Sequence, residues 1–360
     1  MAYTTIDDPS AYFQVDLHTG DGSGSTETFD GNSDLQPDLL WFKSRSVTGD
    51  HGWVDTSRSK PAGNSSFFIL KSNSSNGDQT VNSGTDFSAI NSDGYTYGGV
   101  HHLDLATNTS QNAVWGWKAN GGTRTTNTES GDNPGGGYQA NTTAGFSIVD
   151  YTGTGGNGTM AHGLGAVPTC MIVKNRDQTD SWQVYHVDLG NDKSLFLDNS
   201  DSVYTLNDIW NQTTPTSSVF TIGTSHRTNA DAEKYIAYCF TPIQGYSKFG
   251  SYKGNGNANG PFVYLGFKPA WVIVKLSSGG GEDWHIFDSK RSTSNVVKER
   301  LIANGTATEN ANDSILDFLS NGFKFRENNA GWNGNNNTYI YMAFAESPFV
   351  SSKGVPTTAR

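Results

Sequence analysis

One pattern, written three times, limits this chain more than any other feature. It reads Pro37-Asp-Leu-Leu-Trp-Phe-Lys43, Pro168-Thr-Cys-Met-Ile-Val-Lys174 and Pro269-Ala-Trp-Val-Ile-Val-Lys275, each followed by a polar break and a tryptophan: Trp53, Trp182 and Trp284. Proline to lysine is six residues every time, and lysine to tryptophan is ten, eight and nine. Proline fixes φ and cannot donate to a ladder, so it suits the first residue of a strand. The apolar, β-branched and aromatic run behind it reads as a strand buried on both faces, with the lysine marking where the strand leaves the core. A turn of Gly, Asp, Ser and Thr follows, and the tryptophan opens a returning strand. Because a lone hairpin is marginal in water, each copy is expected at the centre of a larger sheet, with these nine residues as repeat anchors.

The flanking sequence repeats as well. Each unit begins with an aromatic strand and a glycine-rich turn: Phe13-Gln-Val-Asp-Leu17, Phe146-Ser-Ile-Val-Asp-Tyr151 and Tyr246-Ser-Lys-Phe-Gly-Ser-Tyr252. Each closes with a strand of alternating aromatics: Val114-Trp-Gly-Trp117, Tyr235-Ile-Ala-Tyr-Cys-Phe240 and Tyr339-Ile-Tyr-Met-Ala-Phe344. Period-two spacing sets those rings on one face of a strand. The expected division is a first unit with an N-terminal arm over 1–119, a linker or long loop over 120–144, a second unit over 145–244, a third over 245–350 and a tail over 351–360. Helix is scarce, with two or three turns expected over 294–302. The fold class expected is all-β: tandem antiparallel β-sandwich domains, jelly-roll or concanavalin-like, in three internal repeats.

Composition narrows the function. With 42 glycines and only 16% charged residues, the chain suits short strands and many turns, not long helices. A net charge of −11 repels phosphate backbones and anionic lipid, so neither nucleic acid nor membrane insertion is expected. No apolar run approaches the roughly 20 residues of a membrane span, and the first residues lack the basic and apolar regions of a signal peptide. Cys170 and Cys239 lie in apolar runs of the second unit and are expected as buried thiols, with a disulfide across two strands as the alternative.

Catalytic signatures are lacking. There is no His-Glu-x-x-His, no Gly-x-Ser-x-Gly and no phosphate-binding Gly-x-x-x-x-Gly-Lys-Ser/Thr. Nor do two or three carboxylates alternate along one strand, as sandwich glycosidases require. No catalytic residue, cofactor or metal is therefore assigned. His101-His102 reads as a strand pair facing opposite ways before it reads as a ligand pair. Asp16 with Asp21, and Asn255 with Asn257, lack the alternate carboxylates of a calcium loop. Trp210, Trp332 and Tyr138 are not shared between units and sit among Asn and Gly, so they are the expected exposed aromatics, stacking on a sugar face or against a neighbouring subunit.

A family resemblance enters at Ala161-His-Gly-Leu-Gly-Ala-Val-Pro168 running into Met171-Ile-Val-Lys174. It resembles the His-Gly-Leu-Gly-x-x-Pro lead-in of tail-fibre and other virion proteins of tailed bacteriophages. Residues 145–350 are similar to repeat domains in proteins of marine and cyanobacterial phages; the first unit, with Asp34-Leu-Gln-Pro37, matches less well. The resemblance implies a concanavalin-like or lectin-like sandwich and a virion structural protein that is not an enzyme, assembled in the host cytoplasm. Its implied partners are tail or capsid subunits and host surface polysaccharide, and a homo-oligomer is expected, a trimer if a fibre. Three roles follow: a tail-associated fibre or receptor-binding protein first, a capsid decoration or head-fibre protein as the alternative, and a polysaccharide-degrading enzyme last.

Overall fold

The computed structural model describes residues 2–58, 60, 67–80, 87–98 and 105–357. The chain is all-β, as its composition demands: the described helices are the single turns His226–Asn229 and Ala330–Asn333 and the 3-10 turn Pro9–Ala11.

Each unit builds an inner sheet in the same strand order. In the first it runs Phe13–Thr19, Gln111–Trp117, Leu39–Ser44, Gly52–Asp55. The second has Phe146–Thr152, Lys234–Phe240, Cys170–Asn175, Gln183–His186 and then Lys193–Phe196. In the third the order is Ser247–Lys253, Thr338–Pro348, Phe267–Leu276, His285–Asp288 and Leu301–Ile302. The proline-led strand is thus central in every copy, and Pro269 sits at a register shift, where a missing donor is tolerated.

A smaller outer sheet covers one face of each inner sheet. Ser25–Glu27, Tyr95–Tyr97 and Phe87–Ile90 do so in the first unit, Gly158–Ala161 with Val219–Ile222 in the second, and Phe262–Tyr264, Gly322–Phe325 and Leu316–Leu319 in the third. Alternation decides which side chain goes where. Val173, Ala237 and Cys239 face the outer sheet of their own unit, as do Leu40, Phe42 and Val114, and Val272, Val274 and Ala343.

Their neighbours along the same strands face the other way, into a fourth core that all three units share. Trp41, Trp53 and Trp115 meet Ile172, Trp182 and Tyr238, and these meet Trp271, Ile273 and Met342. The rings touch across unit boundaries: Trp53 and Trp182 lie 5.1 Å apart, Trp41 and Trp271 6.1 Å, Phe240 and Phe344 5.9 Å. At the centre remains an apolar void of about 10 Å³ lined by residues of all three units, no larger than a single water. The units therefore close around one core instead of standing as separate beads.

Several expectations change here. The stretch 120–144 is no free linker: Thr125–Asn127 and Gly136–Asn141 extend the second unit's inner sheet, and Arg124 pairs with Asp150. Residues 294–302 form no helix, because Val297 bridges Leu316 and the Asn295 amide bonds both backbone groups of Phe318. Lys43, Lys174 and Lys275 do not leave the core; each is fully buried within its strand. Cys170 and Cys239 are free thiols, both buried.

Candidate functional site

The repeat anchors converge on three seams between units. At each seam the lysine and the hairpin of one unit reach the backbone of the preceding unit. Lys174 donates to Ser75 O of the first unit at 2.9 Å, Lys275 to Ser200 O and Asp201 O of the second at 3.3 and 3.0 Å, and Lys43 to Thr306 O of the third at 3.4 Å. Backbone bonds repeat the cycle: Asp180 N to Ser75 O, Gly281 N to Ser200 O, Gly49 N to Thr306 O. Second onto first, third onto second, first onto third: the set closes as a ring.

The hairpin tryptophans follow this cycle at two seams. Trp182 Nε1 donates to Lys71 O at 2.9 Å, and Trp284 Nε1 to Phe196 O at 2.8 Å. Their counterpart in the first unit is His51, not Trp53. His51 N bonds Asn73 Oδ1 as Trp182 N bonds Asp198 Oδ1 and Trp284 N bonds Asn304 Oδ1, and His51 Nε2 donates to Ile302 O at 2.9 Å. Trp41 Nε1 donates to His51 Nδ1 at 2.8 Å, which fixes the tautomer. Trp53 lies two residues further along the strand, on the same face, and its indole N–H has no hydrogen-bond partner among the described residues.

Two seams also carry a buried ionic chain. Where the second unit meets the first, Arg176 and Arg58 grip Asp78, Arg58 pairs with Asp55 at 2.6 Å, and Tyr238 donates to Asp55 at 2.7 Å. Where the first meets the third, Arg45 and Arg291 grip Glu309, Arg291 pairs with Asp288 at 2.5 Å, and Trp115 Nε1 donates to Asp288 at 3.1 Å. Where the third meets the second, the matching positions hold Ser277, Leu189, His186 and Met342. Met342 Sδ there lies 3.7 Å from Cys170 Sγ. The sequence reading missed these chains, although Lys-x-Arg at 43–45 and 174–176 and Asp-x-x-Arg at 55–58 and 288–291 stand in it at matching distances.

Burial sets the protonation of these groups. It lowers Lys174 and Lys275 to about 8, against the opposing pull of Asp198, Asp180 and Asp78 on the first and of Asp283, Glu282 and Asp201 on the second. His186 is held down at about 4 by burial, partly offset by Asp188. Burial, with Lys43 adding to it, drives His51 well below its ordinary value. Both histidines are therefore neutral at pH 7.

The aromatics expected at the surface are elsewhere. Trp210 and Trp332 are 1% and 0% exposed, so neither can offer a face to a sugar. Trp210 packs edge-on against Tyr185 and donates to Lys193 O at 3.0 Å. Trp332 packs on His285 and Phe287 beneath the Arg300 guanidinium. Their Asn and Gly neighbours make short turns that drive the indole inward. Tyr138 is half-buried and covers Gly163, whose φ of 71° and contact with that ring leave no room for a side chain. The His162-Gly-Leu-Gly165 lead-in is thereby locked, with Leu164 buried and the His162 ring bonded to Leu164 N and Thr216 O.

The asparagine and aspartate turns have other partners. Asp16 accepts from Tyr95 and Asp21 from Ser23, while the Asn255 and Asn257 amides cap the backbone two residues on. Among the described residues no three His, Cys, Asp or Glu side chains gather as a metal-binding group. His101 and His102 lie outside the described residues.

Fold and seams together define an all-β protein of three homologous two-sheet units locked around one core. The chain belongs to the family described as Domain of unknown function (DUF7483), which it matches over residues 8–348, so that one family domain takes in the whole ring. Among curated proteins and solved structures, nothing matches it.

Proposed function

We propose that this chain is a bacteriophage virion structural protein without catalytic activity, and that it serves as a tail-associated, receptor-binding body. The observation that carries this reading is the fate of the titratable side chains the units share: Lys43, Lys174 and Lys275 are all engaged across seams, where they fasten the body together. Two open clefts lie on the surface; among the described residues that line them, one holds Glu309, tied to Arg45 and Arg291, and the other no carboxylate. Neither offers the carboxylate pair that glycoside hydrolysis needs. The His162-Gly-Leu-Gly165 segment that carries the phage resemblance is a structural lock, in keeping with a rigid particle component. Many copies on one particle turn weak sugar contacts into firm attachment, so a deep pocket is not required.

Imaging of purified particles with a label on this chain tests the proposal. Label on the tail is the expected result. Label on the capsid lattice would replace the tail role by decoration, absence from particles would end the virion reading, and turnover of a host polysaccharide by the pure protein would end the non-enzymatic one.

A further inference from the structure

The three outer sheets contain their own control experiment. The position facing outward on the first outer strand is Thr26 in the first unit, paired with Thr96, and Thr159 in the second, paired with Thr221. Thr26 bonds the Thr96 hydroxyl at 2.9 Å; Thr159 gives both its N–H and its hydroxyl to Asn133 Oδ1, which covers that edge. In the third unit the same position is Phe262, paired with Lys324, and the next outward residue is Tyr264, opposite Gly322. Phe262 and Tyr264 are 45% and 48% exposed while Val263 between them is buried. Threonine serves at the first of these positions in both sibling units and Ala161 at the second in the second unit, so nothing in the fold calls for two aromatic rings here.

What surrounds the rings is cationic and polar. Lys324 stands beside Phe262, and the Lys248 ammonium sits 5.3 Å from the centre of the Tyr264 ring while donating to Tyr264 O at 2.7 Å. Neither lysine has an ion pair among the described residues, whereas Asp317 pairs with Arg326 at 3.3 Å and Glu346 with Lys268 at 2.6 Å, and Asp7 accepts from Ser352. On a chain of net charge −11 this leaves a locally positive patch. Tyr3 from the N-terminal arm completes it, its hydroxyl 3.3 Å from that of Tyr264 and bonded to Gly266 O. Tyr3 also lines an open cleft of about 640 Å³ with Gln244, Ser352 and Lys353. Aromatic faces, amide and hydroxyl donors and unpaired ammonium groups thus lie side by side.

We infer that this face of the third unit binds an acidic oligosaccharide. Phe262 and Tyr264 stack on the apolar faces of successive pyranose rings, Lys248 and Lys324 attract the uronate carboxylates, and the cleft behind Tyr3 receives sugar hydroxyls. The inference rests on the receptor-binding reading and names its site and ligand class.

Calorimetric titration of the full chain with oligogalacturonate and alginate oligosaccharides, against neutral dextran oligosaccharides, tests it. The double variant Phe262→Thr/Tyr264→Ala, which writes the second unit's Thr159 and Ala161 into this strand, is expected to weaken binding of the acidic sugars at least tenfold with an unchanged melting temperature. Lys324→Glu is expected to weaken it several-fold, and raised salt to do likewise. Undiminished binding by the double variant would sink the site while leaving receptor binding intact. No binding of acidic sugars by the wild-type chain, or a preference for dextran, would sink the ligand class. Loss of self-association in the double variant, seen by sedimentation, would reassign the patch to contact between copies. Particle imaging judges the tail role separately, since a chain absent from the tail can still bind the sugar.

Discussion

Two of the seams carry buried ion pairs and one does not, and the difference is coordinated. Where the closing strand offers a donor, Tyr238 or Trp115, the facing hairpin supplies Asp55 with Arg58 or Asp288 with Arg291. Where it offers Met342, the hairpin supplies His186 and Leu189, and the outer arginine becomes Ser277. A buried acid without its arginine is expensive, and so is a buried arginine without its acid, so the members of a chain can be replaced only together. An apolar seam of similar volume is no weaker for lacking ions. The ionic seams therefore add directional matching: each guanidinium accepts only one geometry, and the three similar units are told apart by what they carry.

The largest test of this contrast is Asp288→Ala. It leaves Arg291, 6% exposed, with Glu309 as its one carboxylate partner and Trp115 Nε1 without an acceptor, and is expected to cost roughly 3 to 5 kcal/mol. His186→Ala at the matching position of the third seam should cost about 1 to 2 kcal/mol. Equal losses in chemical denaturation would show that the buried arginine does not depend on its acid, and that the members of a chain can be replaced singly. Trp182→Ala and Trp284→Ala, which each empty part of the shared core and orphan a carbonyl, should lie with the first group at about 3 to 5 kcal/mol.

The second test is pH. His186 titrates at about 4 in the fold against 6.5 ordinarily, so between those values the unfolded chain binds a proton that the folded chain refuses. Stability then falls as pH drops from 6.5 to 4, by roughly 3 kcal/mol at about 1.4 kcal/mol per pH unit. In His186→Gln that part of the acid limb should be absent; an unchanged limb would assign it to other groups. A loss close to that of His186→Ala is expected from Lys275→Met, which removes a buried ammonium and leaves Asp201 O without that donor while Ser200 O keeps Gly281 N, at about 1 to 2 kcal/mol.

Much of the fold could be read from the sequence because strand period and turn chemistry are local. The all-β class, the central place of the proline-led strands and the aromatic closing strands all follow from alternation. What could not be read is where each face goes. A strand apolar on both faces tells only that both are covered, and here the second cover is another unit. For the same reason Lys174 reads as a strand end while it is a cross-seam donor. Trp53 stands in for His51 in the sequence because positions two apart share a face, and spacing alone does not fix the register of a hairpin. Trp210 and Trp332 mislead through their polar neighbours, since a turn of Asn and Gly can cap the backbone and still point an indole inward. The outward rings of Phe262 and Tyr264 become visible only once the register pairs them with Lys324 and Gly322 and sets them against Thr26 and Thr159.

The last fastening joins residues far apart in the chain, His51 to Ile302 and Arg45 to Glu309. During synthesis the earliest third of the polypeptide must wait, its tryptophan-rich side uncovered, until the final third has emerged and folded. Such delay favours slow maturation and mistaken pairing between nascent chains, so the order of translation itself becomes a hazard that a ring of this design has to survive.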